Sequence, residues 1–115
     1  MKKFIWSIIA SAFIMAGCSD SPEEVVQKWG NAIVNGDKAA ADKLVTPGDK
    51  GDNAKGNEFI IEMYKDCKPN EQDSFKNAFD NIGKAEVNGD TAKITVNNIR
   101  FSLKKVDGKW KICGF

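Results

Sequence analysis

The sequence contains no histidine. That removes imidazole as a general base and as a metal ligand, and it leaves no ready partner to activate a serine, threonine or cysteine nucleophile. Tyrosine occurs once, at Tyr64, and the three cysteines show no C-x-x-C spacing. Neither G-x-S-x-G nor a phosphate-loop glycine pattern is present. The longest apolar run, Phe4 to Met15, is broken only by Ser7 and Ser11. It falls short of the roughly 18–20 residues that a stable membrane-spanning helix needs. Charge of neither sign dominates, with 17 basic and 16 acidic residues, and nucleic acid is not an expected partner.

The first residues have the parts of an export signal: Lys2 and Lys3, the apolar core, and then small residues. The stretch Met15-Ala16-Gly17-Cys18 resembles a bacterial lipoprotein processing box, with Met15 where leucine is usual. An ordinary secretory signal or a short anchor is the alternative, but cleavage after Ala10-Ser11-Ala12 would fall inside the apolar core. The resemblance implies that residues 1–17 are a signal peptide and that Cys18 becomes the lipidated first residue of the mature protein. Known lipoproteins carry three acyl chains there, and at about 0.8 kcal/mol per buried CH₂ such an anchor is effectively permanent. Ser19, rather than aspartate, follows the cysteine, which among known lipoproteins of enteric type implies the outer membrane, facing the periplasm. Removing residues 1–17 from the 115 leaves 98, the size of one domain, residues 18–115. That domain carries 15 basic and 16 acidic residues, a net charge of −1.

Helical signals follow at once. Ser21, Pro22 and Glu24 form a start with a capping box, and Val25, Val26, Trp29, Ala32 and Ile33 share one stripe as far as Asn35-Gly36. A second helix runs from about Asp37 to Leu44-Val45, and Pro47 stops it. Residues 47–57 are polar and glycine-rich; Asp49, Asp52 and Asn53 do not fit a calcium loop, so the stretch reads as an exposed loop. Glu58 to Tyr64 reads as a helix, with a strand as the alternative. After Lys68-Pro69-Asn70, Phe75, Phe79 and Ile82 recur at helical spacing as far as Gly83. These aromatics can line a pocket or pack a core.

The last third changes period from 3.6 to 2. Lys84–Val87, Thr91–Val96, Ile99–Val106 and Lys109–Phe115 read as four strands joined by Asn88-Gly89-Asp90, Asn97-Asn98 and Asp107-Gly108. Ala92, Ile94, Val96, Ile99, Phe101, Leu103, Trp110 and Ile112 share one face. Lys93, Arg100, Lys104, Lys109 and Lys111 share the other, which is either a wet face or a surface for headgroups, an acidic partner or cell-wall material. The predicted fold class is α+β: N-terminal helices on one face of a curved four-stranded antiparallel meander.

The segments SPEEVVQKWGNAIVNGDKAAADKLV, NGDTAKITV and VDGKWKI, together with the processing box, resemble small bacterial lipoproteins of unknown function. These have a nuclear-transport-factor-like domain of the cystatin-like and lumazine-binding-like kind. The resemblance implies a helical pair and a cone of antiparallel sheet around a cavity, here a shallow one because the chain is short. It makes Trp29, Ile33, Tyr64, Phe75, Phe79, Phe101 and Trp110 candidate lining residues. Enzymes of that superfamily place a Tyr–Asp or His–Asp pair in the cavity. Here Tyr64 has no acid partner by spacing, and Asp66, Asp73 and Asp80 fall on expected helix surfaces.

The expected function is therefore a non-catalytic envelope module tethered through Cys18, binding a partner protein or a small apolar ligand. No cofactor, metal site or catalytic residue is expected. The alternative is a degenerate isomerase-like enzyme that uses carboxylates alone. Cys67 and Cys113 are expected to form a disulfide in an oxidising compartment, with two unpaired thiols as the alternative. By strict alternation Cys113 faces away from the helices. The bond therefore requires the Cys67 segment to wrap the sheet edge, or a bulge near Gly114.

Overall fold

The computed structural model describes residues 20–48 and 52–115. The expected signal segment and Cys18 lie outside the described residues. Among the described residues four helices come first, α1 (Pro22–Val34), α2 (Lys38–Lys43), α3 (Asp52–Asp66) and α4 (Pro69–Asp80). Four strands follow, β1 (Glu86–Asn88), β2 (Thr91–Val96), β3 (Ile99–Val106) and β4 (Lys109–Gly114). The strands pair antiparallel in the order 1-2-3-4, an open meander.

The local signals act where the sequence places them. Ser21 Oγ accepts from the Glu24 backbone N–H, and the Glu24 carboxylate accepts from the Ser21 N–H, so two orphan donors of α1 are satisfied reciprocally. The β2–β3 turn holds Asn97 and Asn98 at φ 48° and 71°, and the β3–β4 turn holds Asp107 and Gly108 at 54° and 79°. Both are two-residue turns with left-handed backbone at each central position, whose twist matches that of the strands they join. Register follows: Ile94 faces Phe101 and Ala92 faces Leu103 across β2 and β3.

One core lies between the helices and one face of the sheet. Val26, Trp29 and Ile33 of α1 meet Ile94, Phe101, Leu103 and Ile112, all buried, so the α1 stripe and the sheet's apolar face are halves of a single contact. Trp29 and Trp110 are both buried, at 2% and 8% exposure. Gly30 lets α1 approach α4, because a β-carbon there would sit 2.5 Å from the Phe79 ring.

Three sequence expectations change. First, α2 ends at Lys43 with Leu44 as its cap, and Val45 bridges to Ile112 of β4. The Ile112 N–H donates to Leu44 O and the Thr46 N–H to Ile112 O, each at 2.8 Å. This covers the open edge of β4 with protein hydrogen bonds.

Second, the polar stretch is not a loop throughout. Residues 52–57 form the first turns of α3, and Asn57 is wholly buried. Its burial is possible because both ends of the amide are paired. Asn57 Oδ1 accepts from Trp29 Nε1 at 2.8 Å, and Asn57 Nδ2 donates to Asp42 Oδ1 at 2.9 Å.

Third, the Cys67–Cys113 disulfide is not formed, and both residues are free thiols. Cys67 follows α3 in the helical layer, whereas Cys113 lies in the sheet, where its thiol donates to Ser102 O at 3.3 Å. Pairing shifts in β4, with Ser102 opposite Gly114 and Leu103 opposite Ile112, so Cys113 is the extra residue of a bulge. The bulge reverses the side chains after it and turns Phe115, not Cys113, toward the helices.

Candidate functional site

Aromatic rings form a continuous chain through the interior. Tyr64 meets Phe75 at 5.3 Å between centroids, Phe75 meets Phe79 at 4.9 Å, and Phe79 meets Trp29 at 5.7 Å. Trp29 then meets Phe101 at 5.4 Å and Phe115 at 5.1 Å. The Tyr64–Phe75 and Trp29–Phe101 pairs set ring edge toward ring face, the arrangement that the aromatic quadrupole favours, and the other three are tilted. The rings come from α3, α4, α1 and β3, and from Phe115 just after β4.

The rings do not fill their space. Between α1, α4 and the β2–β3 end of the sheet lies a cavity of about 310 Å³. Its walls include Trp29, Phe75, Phe79, Phe101 and Phe115, and its mouth is set by Ser74, Asn97 and Ile99. Ile99 and Phe115 are about half exposed, at 50% and 51%, so the pocket opens to solvent through apolar side chains. Its volume lies at the low end of small-ligand sites, about 300–1,000 Å³. Four of the seven expected lining residues, Trp29, Phe75, Phe79 and Phe101, are in its walls. Ile33 and Tyr64 are buried in the core instead, and Trp110 lies under the Lys105 ammonium, 5.3 Å from its ring, away from the pocket.

Phe115, Ile60 and Ile99 were not among the expected lining residues. Ile99 carried a signal, since it alternates with Phe101 on the apolar face. Phe115 carried none, because strict alternation puts it on the other face until the bulge is known.

The orientation of Trp29 depends on a polar network beyond the pocket. Trp29, Asn57, Asp42 and Lys38 are joined in series, ending in a 2.6 Å ion pair between Lys38 and Asp42. Burial alone would raise the Asp42 carboxyl. The hydrogen bonds from Lys38 and Asn57 outweigh it and hold Asp42 below the usual carboxylate range. Among the described residues no carboxylate lines the pocket, and Asp66, Asp73 and Asp80 are all exposed on helices. Among the described residues, no group of three Cys, Asp or Glu side chains gathers as a metal site. No described helix is long and apolar enough to cross a membrane.

Compared with protein families, with characterised proteins and with solved structures, the chain finds no match.

Proposed function

We propose that this chain is a non-catalytic binding module of the cell envelope, tethered through lipidated Cys18, whose pocket takes a small apolar ligand. The observation that carries the reading is the pocket itself: an opening of about 310 Å³ walled by five aromatic rings, with Ser74 and Asn97 as the polar groups at its rim. Such a site gains from removing apolar surface from water, about 25 cal/mol per Å², and has few groups to orient a reacting bond. A partner protein inserting one aromatic or aliphatic side chain would use the same contacts. The placement of helices on one face of a meander supports a nuclear-transport-factor-like relationship, which we propose as one of fold rather than of chemistry.

Two experiments test the halves of this reading. For the tether, labelled acyl donor is expected to enter the wild type and not Cys18→Ser; equal labelling of both would contradict it. For the pocket, the chain lacking residues 1–19 retains every residue of the core cluster, which runs from Val25 to Ile112. It is expected to bind the neutral probe N-phenylnaphthylamine saturably, at one site. Ile99→Glu places an unpaired carboxylate at the mouth, which costs about 1–3 kcal/mol, roughly a fivefold to 150-fold loss of affinity. Ile99 is half exposed, so melting is expected to stay unchanged. Non-saturable uptake, or equal affinity in Ile99→Glu, would count against the pocket.

A further inference from the structure

The near-neutral net charge hides a strong separation. Residues 20–83, the helical layer and its loops, hold 8 basic and 13 acidic residues, whereas residues 84–115, the sheet, hold 7 basic and 3 acidic ones. The helical layer is thus at −5 and the sheet at +4. The positive side chains gather on the face turned away from the helices and at the β4 edge. Lys104 and Lys111 are directly opposite across β3 and β4, and Lys109 is two residues before Lys111.

The described chain begins at this edge. Asp20 lines one depression together with Lys43, Lys109, Trp110 and Lys111. Asp20 is already neutralised by Lys28 at 2.6 Å. The described ion pairs use Lys28, Lys38 and Lys65, so Lys43, Lys104 and Lys109 have none. Lys111 donates to Lys43 O at 2.6 Å, which holds it at the edge without cancelling its charge. The acids that sequence and register place beside them are Asp107, two residues before Lys109, and Asp90, just before Thr91, the partner of Lys104. Neither is ion-paired with these lysines.

We propose that this lysine-rich edge docks on anionic lipid headgroups of the leaflet that holds the anchor. The inference rests on the tether reading. Cys18 is two residues before Asp20, and two fully extended residues reach about 7 Å. Acyl chains on Cys18 therefore hold the edge within about one Debye length of the surface, ~8 Å at physiological ionic strength, where headgroup charge is only partly screened. A lipid chain with an adjacent basic patch is a two-part membrane signal, and here the second part fixes orientation. The sheet face turns to the membrane and the acidic helical layer turns away from it.

The test is residue-resolved amine acetylation of the full lipidated protein, reconstituted in vesicles of phosphatidylcholine alone or mixed with phosphatidylglycerol. In the anionic vesicles, labelling of Lys43, Lys104 and Lys109 is expected to fall about fivefold, the factor set by ~1 kcal/mol of attraction per lysine. High salt should restore it, while Lys68, just before α4, and Lys76 within it label equally in both vesicles. Equal labelling of the edge lysines in both vesicles would overturn the docking and leave the tether standing. Protection of the same lysines by an added acidic protein, but not by phosphatidylglycerol, would overturn it in favour of a protein partner. A chain that stays with neither vesicle would overturn the tether, and the docking with it.

Discussion

Asn57 is wholly buried, and its amide is spent at both ends, on the Trp29 indole and the Asp42 carboxylate. Asn57→Ala leaves the Trp29 N–H buried without an acceptor, which costs about 1–3 kcal/mol in addition to the lost packing. Urea denaturation is expected to show that loss. The loss should shrink when Trp29→Phe has already removed the donor, so the two changes should be non-additive. Additive effects would mean that the hydrogen bond contributes nothing to the fold. Asn57 also marks a limit of sequence reading. Its partners are 28 and 15 residues away, and nothing local to residues 52–57 says that an asparagine there is inside. Phe115 is a second such case, because a one-residue bulge at Cys113 decides which face it joins. Trp29, Phe79 and Phe101 were legible because each stands on a periodic stripe.

Among the elements, the hairpins were read to the residue at Thr91–Val96 and Ile99–Val106, since asparagine, aspartate and glycine at turn positions act through local backbone geometry. Helix α3 was read only from Glu58, although it starts at Asp52. Polar residues and Gly56 argue against a helix locally, and tertiary contacts override them. Gly56 is then an unforced cost. A β-carbon there meets nothing within 4 Å, so Gly56→Ala is expected to stabilise the protein by about 0.5–1 kcal/mol, read as a raised melting temperature. A fall would mean that the N-terminal turns of α3 are not helical.

Two carboxylates tie elements together. The Ala85 N–H donates to Glu23 Oε2 at 2.9 Å and joins α1 to the approach to β1, and Asp42 joins α2 to α3. The Ala85 hydrogen bond outweighs partial burial and lowers the Glu23 carboxyl; Asp42 is also lowered, against its burial. The folded state therefore binds these protons less readily than the unfolded chain. Their contribution is whole above the ordinary values of 4.5 and 3.8, and it is lost as pH falls through the lowered ones. Stability is expected to decline below about pH 4.5, and less steeply in a Glu23→Gln, Asp42→Asn double variant. Equal slopes would show that these two groups do not set the acid limb.

At the scale of the whole molecule, the α+β arrangement was legible because the apolar period changes once, from helix to strand, near residue 84. The pocket was only partly so. A sequence shows which residues are apolar, but not which of them leave space unfilled, so Ile33 and Tyr64 were expected in the lining and are packed instead. The measurement closest to the central claim uses isoleucine-methyl NMR on the chain lacking residues 1–19, titrated with N-phenylnaphthylamine. Ile60 and Ile99 line the pocket, whereas Ile112 sits in the closed core beside Val45. The account predicts saturable shifts at the Ile60 and Ile99 methyls with Ile112 unmoved. Shifts centred on Ile112, or none at Ile60 and Ile99 at saturating probe, would contradict it.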